Sequence, residues 1–384
     1  MTASGVDVIV PAHRAHATLG RTLDSIVAQT IAGELRVVVV DDACPEGGYQ
    51  EVVAPFQSRL DIQLIRLPRN LGPGGARQAG IDATGNPYFT CIDSDDAFAC
   101  PASLEQLRVI MEQDNSIQRC GGCIEALGTS QETSSRRAWG MSMDGKIFRR
   151  SFAERYNLRF NGSRANEDYG YNLAVDLLCD NDGEKTHVVD EILVHVYKNP
   201  RSITAFNGGQ FRWDQRLCGL IDNSIWAFDL VKSHRPESPL LRANILRVLL
   251  ISYAYWCIIK VSAPEFADQA WEYVKKYYHT CYLPNRIPAY ESMERKIRPE
   301  TTKDIFGTFG KFKSFRLPEG AEPPIGFDGF LELLRSEAYD PKHIYDVWEE
   351  MASSPEMCVR MAANEETGVC ERGYARRKGA GDEC

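Results

Sequence analysis

Three carboxylates lie within four positions of the stretch "TCIDSDDAF", at Asp93, Asp95 and Asp96. Two carboxylates about 4 Å apart repel each other by roughly 4 kcal/mol at an effective dielectric constant near 20, so a tight cluster needs something cationic within it. Hard divalent cations prefer such oxygen ligands. Asp and Ser also form solvated acidic turns, and the short string alone leaves this simpler interpretation open.

The acidic cluster follows one strand of an alternating pattern. "VDVIVPAH", "LRVVVVDD" and "PYFTCI" are apolar runs of strand length, and "ATLGRTLDSIVAQT" and "GPGGARQAGIDAT" have the character of helices. This alternation predicts an α/β fold with a mainly parallel central sheet, in which ligands gather at the carboxyl ends of the strands. Asp42, at the end of the second run, should therefore share one crevice with the residues from Asp93 to Asp96.

Composition limits the classes of protein that fit. The net charge of the 384 residues is -9, which argues against a nucleic-acid partner. No basic region or cleavage site precedes "VDVIVPAH", so we expect no signal peptide and a cytoplasmic location. The twelve cysteines lack the dense spacing of a disulfide scaffold. "VLLISYAYWCII" is too short for a membrane span and predicts a buried helix, although peripheral attachment to the inner face of a membrane stays open.

Several other chemistries fit the motifs poorly. The segment after the first strand, "PAHRAHATLG", lacks both the Gly-x-Gly-x-x-Gly pattern of dinucleotide folds and the phosphate loop of nucleotidyltransferases. Cys120 and Cys123 have no second pair of zinc ligands nearby, which favours the beginning of a strand over a metal site. For His13 and His16, a nucleotide contact or a surface position is favoured over metal binding.

Six motifs in this order resemble family 2 glycosyltransferases with a GT-A fold, which is Rossmann-like, over about residues 5–205. They are "VIVPAH...TLDSIVAQT", "VVVVDDACPE", "NLGPGGARQAGIDATGNPYFTCIDSDD", "GKIFRRSF", "NEDYGYNL" and "VYKNPRSIT". The resemblance implies an inverting transfer of a sugar from a nucleotide diphosphate, usually UDP, to a hydroxyl acceptor, assisted by Mg²⁺ or Mn²⁺. A divalent cation suits this chemistry because the diphosphate leaving group gathers negative charge.

The resemblance assigns roles on the donor side. Asp95 would contact the ribose or the metal, Asp96 would bind the metal, and Asp93 would hold the loop. Asp42 would accept hydrogen bonds from the uracil edge. Residues expected to line the rest of the nucleotide site are Pro11 and His13 at the base and Arg77, for which an ion pair with an acidic residue is an equal alternative.

The acceptor side takes its expected residues from the later motifs. Inversion needs one base to remove the acceptor proton, and Asp168 matches the family's base, with Glu167 beside it. Lys198 and Arg201 are candidates to hold the diphosphate. Trp139 is a candidate to stack on the acceptor sugar, with core packing as its alternative.

The predicted organisation is a GT-A domain over 1–208, a mostly helical region over 209–371 and a disordered tail over 372–384. The helical region is expected to orient the acceptor or an oligomer and to contribute no catalytic group. The acceptor of the transferred sugar would be a glycan, a lipid-linked molecule or a protein. Assembly into a homo-oligomer stays open. The alternative function is a catalytically silent protein that binds a sugar nucleotide or a glycan on the same fold.

Overall fold

The computed structural model describes residues 5–127, 135–137, 142–179, 183–197, 213–288, 290, 317 and 320–341. Strands and helices alternate along the first part of the chain. They are β1 (Val6–Ala12), α1 (Leu19–Val27), β2 (Leu35–Asp41), α2 (Gln50–Val53), β3 (Asp61–Arg66), α3 (Gly72–Asp82), β4 (Tyr88–Cys91), β5 (Ala97–Phe98) and α4 (Ser103–Gln113). Next come β6 (Ile117–Leu127), β7 (Ser135–Arg137), β8 (Lys146–Arg149), α5 (Arg150–Arg155), α6 (Glu167–Leu178) and β9 (Lys185–Tyr197).

The described strands form one sheet in the order β3-β2-β1-β4-β8-β6-β9-β5, with β7 paired to β6. β1 to β4 are parallel, as are β6 and β9. β8 runs antiparallel to both β4 and β6. The predicted α/β fold, with a mostly parallel sheet and flanking helices, is confirmed. The antiparallel β8 matters for the site because it begins where β4 ends.

Alternate side chains of β2 supply the cores on the two faces of the sheet. Val37 and Val39 pack with Leu23 of α1 on one face. Val38 and Val40 belong to the core on the other face, which also contains residues of α3 and α6. A strand buried on both faces has no polar side, which explains why its sequence reads as an uninterrupted apolar run.

Four helices follow the sheet in the described part of the chain. They are α7 (Trp213–His234), α8 (Pro239–Ser262), α9 (Ala267–Tyr277) and α10 (Phe327–Ser336). Trp256, Trp271 and Phe330 form an aromatic centre with ring centroids 5.1–5.7 Å apart. The same apolar core continues into the sheet, so the predicted helical region is present and packs on the α/β fold. The proposed boundary at 208/209 and the tail 372–384 lie outside the described residues.

Helix α8 is longer than its apolar run indicated. Its 24 residues are long and apolar enough to cross a membrane by length and composition. However, 72% of its most apolar window is buried inside the molecule. Burial of this kind is typical of the core helix of a globular fold and agrees with the buried helix expected from the sequence.

Candidate active site

Three carboxylates meet where β4 ends and β8 begins. Asp93 and Asp96 follow β4, and Asp144 lies just before β8. Antiparallel pairing of the two strands brings these ends together, and the amide of Asp93 donates to Oδ1 of Asp144 at 3.0 Å. One oxygen from each of the three side chains lies within 4.8 Å of the others. We call these residues the carboxylate triad.

Burial and neighbouring negative charges raise the pKa of two members of the triad. Burial, followed by the charges of Asp144, Asp93 and Asp95, raises the pKa of Asp96 to about 10. Burial and the charge of Asp93 raise the pKa of Asp144 to about 7, although the Ser142 hydroxyl donates to its Oδ2 at 2.7 Å. Carboxyl groups with pKa values raised in this way hold protons when no cation is present. The triad therefore has the charge and the oxygen ligands that suit Mg²⁺ or Mn²⁺.

Neighbouring elements fix the acidic loop. The Thr22 hydroxyl donates to the carbonyl of Asp96 at 2.7 Å, and the Tyr197 amide donates to Oδ1 of Asp96 at 3.0 Å. Arg21 donates to the carbonyl of Asp95 at 2.6 Å, and its guanidinium lies 3.7 Å from the centre of the Tyr197 ring. The side chain of Asp95 is not one of the triad, so its contact with ribose or metal stays a prediction.

Arg77 links the triad to the start of α6. Its buried guanidinium donates to Oδ1 of Asp93 and to Oε1 of Glu167, each at 2.6 Å. Gly74 makes this approach feasible, because a Cβ at that position would lie 2.8 Å from Cγ of Glu167. Arg77 is thus paired with two acids, and any nucleotide contact it makes stays a prediction.

Asp168 lies next to Glu167 in the first turn of α6 and remains partly exposed. The amide of Tyr169 donates to its Oδ1 at 2.8 Å. Surrounding protein, followed by the charge of Glu167, raises the pKa of Asp168 to about 7. A carboxylate with this pKa is suited to general-base chemistry near neutral pH.

The loop after β2 forms the other side of the crevice. Both carboxylate oxygens of Asp42 accept backbone amides at the start of α3, from Leu71 at 2.6 Å and from Gly72 at 2.9 Å. Nδ1 of His13 lies 3.1 Å from the carbonyl of Asp42. Pro11 is buried within β1. Asp42 therefore organises the loop, and its proposed contact with uracil would use the remaining lone pairs of the same oxygens.

Sequence reasoning missed two residues of this site. Asp144 was overlooked because nothing in "SMDGKIF" indicates which strand β8 joins. Lys146, two residues later, is buried, and burial lowers its pKa to about 7. The candidates Trp139, Lys198 and Arg201 lie outside the described residues.

The mostly parallel sheet with flanking helices matches the GT-A fold in its comparison with solved structures. The UDP complex of S. aureus TarS 1-349 superposes with a TM-score of 0.57 at 15% identity, covering 78% of this chain and 86% of that one. The family model for glycosyl transferase family 2 matches residues 7–167. The stretch from residue 7 to residue 167 is thus similar to that family.

Two curated relatives match parts of this chain. The succinoglycan biosynthesis protein ExoO of Rhizobium meliloti is 40% identical over 91 residues, which is 24% of this chain. An N-acetylglucosaminyltransferase of Sinorhizobium fredii is 26% identical over 236 residues, which is 54% of this chain. The matched stretches span 25% and 56% of the relatives' own lengths.

Proposed function

We propose that this protein is an inverting, metal-dependent glycosyltransferase that moves a sugar from a nucleotide-diphosphate donor to a hydroxyl acceptor. The main support for this proposal is that Arg77 connects the carboxylate triad, through Asp93, to the Glu167–Asp168 pair. One end of this arrangement suits a cation and a diphosphate, and the other end suits proton removal. A single displacement requires both functions in one crevice.

The triad residues Asp93, Asp96 and Asp144 would hold Mg²⁺ or Mn²⁺, with Asp95 as a further contact. Their fit to a hard cation rests on three oxygen donors within 4.8 Å and on the raised pKa of Asp96. The ion, when bound, would neutralise charge on the departing diphosphate. The chain's own part is to keep these carboxylates close together against their repulsion.

Asp168 would take the proton of the acceptor hydroxyl. Its raised pKa gives it proton affinity at neutral pH, and its partial exposure keeps it accessible to an acceptor. The ion pair between Arg77 and Glu167 would hold the first turn of α6 in place while Asp168 acts. No covalent intermediate with the protein is needed, because inversion requires one displacement only.

A UDP-sugar is the proposed donor. The TarS structure that shares this fold was determined with UDP, and the relatives include a succinoglycan biosynthesis protein and an N-acetylglucosaminyltransferase. These names support an acceptor in cell-surface polysaccharide or glycoconjugate synthesis. We place the reaction in the cytoplasm, with peripheral attachment at the inner face of the membrane as part of the proposal.

Calorimetry of UDP binding tests this proposal. UDP should bind in the presence of Mn²⁺, and removal of Mn²⁺ or the Asp96→Asn change should weaken binding at least about 10-fold, equivalent to about 1.4 kcal/mol. Asp61→Asn, at an exposed carboxylate on β3, is the matched control and should bind like the wild type. Equal affinity with and without metal would contradict metal dependence. Metal-dependent binding without any release of UDP from a panel of UDP-sugars would favour the silent binding protein.

A further inference from the structure

A second group of ligand-type side chains lies on the loops that follow β1 and β2. A ring nitrogen of His16, Sγ of Cys44 and a carboxylate oxygen of Glu46 all lie within 4.8 Å of one another. None of these residues belongs to the carboxylate triad. The donor atoms also differ in kind, because nitrogen and sulfur replace two of the oxygens.

The imidazole of His16 is oriented for a ligand at Nδ1. Its Nε2 lies 3.4 Å from the carbonyl of Gly48, so a proton on Nε2 points towards that oxygen and leaves the lone pair on Nδ1. Nδ1 is buried and has no hydrogen-bond partner, and Oε2 of Glu46 lies 3.7 Å from it. The ring stacks on Tyr49 with centroids 4.3 Å apart. A backbone carbonyl behind the second ring nitrogen is the usual support of a metal-binding histidine.

The side chain of Cys44 is held in place as firmly as that of His16. The Cys44 thiol is buried, and the backbone amide of Arg14 lies 3.4 Å from Sγ, where it can donate to a thiolate. The Cys44 amide donates to Oδ1 of Asp41 at 2.8 Å, and Arg66 donates to the Cys44 carbonyl at 3.1 Å. These contacts fix the position of the sulfur.

The backbone next to the ligands is strained. Arg14 and Ala43 have φ values of 53° and 52°, in the left-handed region that non-glycine residues rarely adopt. Each such residue costs roughly 1–3 kcal/mol, and strain of this kind concentrates at functional sites. In this case the left-handed Arg14 is the residue whose amide faces the sulfur of Cys44.

We propose that His16, Cys44 and Glu46 bind a divalent ion of the zinc class, with water completing a tetrahedral site. Imidazole and thiolate favour Zn²⁺ over Mg²⁺ or Mn²⁺, which prefer oxygen. The ion would fasten the loop that follows β2, two residues beyond Asp42. This site does not rest on the proposed glycosyl transfer, and the competing interpretation is an ion pair between protonated His16 and Glu46.

Cobalt titration of the chelator-treated full chain tests the site, because Co²⁺ bound by a thiolate gives a ligand-to-metal charge-transfer band. The wild type should bind one more Co²⁺ than Cys44→Ser and should show a stronger band. Cys100→Ser, at an exposed cysteine, is the matched control and should behave like the wild type. Cysteines near the C-terminus also offer thiolates, so the difference between these variants is the measurement.

Glu46→Gln gives a second test that is insensitive to folding, because this side chain is 50% exposed. Calorimetry should find that Zn²⁺ binding at this site weakens at least about 10-fold. Unchanged Co²⁺ stoichiometry and band in Cys44→Ser would overturn the proposal. Unchanged Zn²⁺ affinity in a folded Glu46→Gln variant would show that Glu46 is not a ligand and would likewise overturn the three-residue site.

Discussion

Arg77 connects the carboxylate triad, through Asp93, to Glu167 at the start of α6. Burial lowers the pKa of its guanidinium, but the charges of Asp93 and Glu167 outweigh this effect and raise the pKa above its usual value. Arg77 is therefore a permanent cation. Breaking a buried ion pair by removing one partner costs about 3–5 kcal/mol because a buried charge is left uncompensated, so Arg77 and its two acids depend on one another. Asp168, beside the bridge, receives no hydrogen bond from Arg77 in these pairs, which is compatible with its proposed role as the base.

Asp168→Asn separates chemistry from donor binding. Asn preserves the size of the side chain and can still accept the amide of Tyr169, but it loses the basic carboxylate. The turnover of sugar transfer should fall by about 10²–10⁴-fold, and Mn²⁺-dependent affinity for UDP should stay the same. In the wild type, turnover should rise with pH through about 7, because only the deprotonated Asp168 is a base.

Steady-state kinetics and calorimetry on the same preparations measure both quantities. Glu154→Gln, at an exposed carboxylate on α5, is the control and should retain turnover and UDP affinity. Near wild-type turnover in Asp168→Asn, or parallel loss of UDP binding, would contradict the assignment. Glu167 would then be the next candidate for the base.

At the scale of elements, α7 holds the beginning of α6. Asn166, just before α6, has a left-handed φ of 58° and donates from Nδ2 to the carbonyl of Arg216 at 2.9 Å. Nδ2 of Asn223 lies 2.8 Å from Oγ of Ser163 and 3.0 Å from the carbonyl of Ala165. The helical region is thus connected to the turn that precedes Glu167 and Asp168. Its expected lack of a catalytic group stays a prediction, but these contacts give it a positioning role.

Asn223→Ala should impair turnover through this connection. The change removes the donor to Ser163 and Ala165, so the turn that presents Asp168 should relax. We expect turnover to fall about 10-fold, which corresponds to a rise of about 1.4 kcal/mol in the activation free energy of transfer. The affinity for UDP should be retained. The pH midpoint of activity should also shift, because the surroundings of Asp168 change.

The control for Asn223→Ala is Asn244→Ala, which removes an exposed side-chain hydrogen bond on α8. Thermal denaturation would reveal any general loss of stability in either variant. A fall in melting temperature with unchanged turnover and an unchanged pH midpoint would mean that Asn223 is structural only.

Local patterns in the sequence place Asp42 and Asp96 at the ends of predicted strands, whereas Asp168 is assigned as the base through the family resemblance, and the roles of all three stay predictions. Asp144 could not be found in this way. Its contact with Asp93 spans 51 positions and depends on the antiparallel pairing of β8. The group around Cys44 likewise depends on two loops that meet only after the sheet has formed.

At the scale of the whole molecule, burial of the apolar core must offset the unfavourable free energy of bringing the acids of the triad together. The apolar core runs from the sheet through α7 to α10, whereas the carboxylate triad brings three acids together, of which Asp96 and Asp144 are buried. Folding raises the pKa of Asp96 above its ordinary value, so the folded protein holds an additional proton. The contribution of this proton to the free energy of unfolding is fully present below about pH 4 and is lost as the pH rises towards 10. Without a divalent ion, the protein should therefore become less stable across the neutral range.

Asp96→Asn should be more stable than the wild type at pH 8 in excess chelator. Asn can still accept the Tyr197 amide and carries no charge, so the decline of melting temperature with pH should be shallower. Each kcal/mol gained corresponds to about 2–4 °C for 150–250 residues. Asp61→Asn, at an exposed site, should follow the wild type.

Addition of Mn²⁺ should raise the melting temperature of the wild type more than that of Asp96→Asn, because binding to the folded state stabilises it. A melting temperature for Asp96→Asn below that of the wild type at pH 8 would contradict the inference that repulsion within the triad is released by metal.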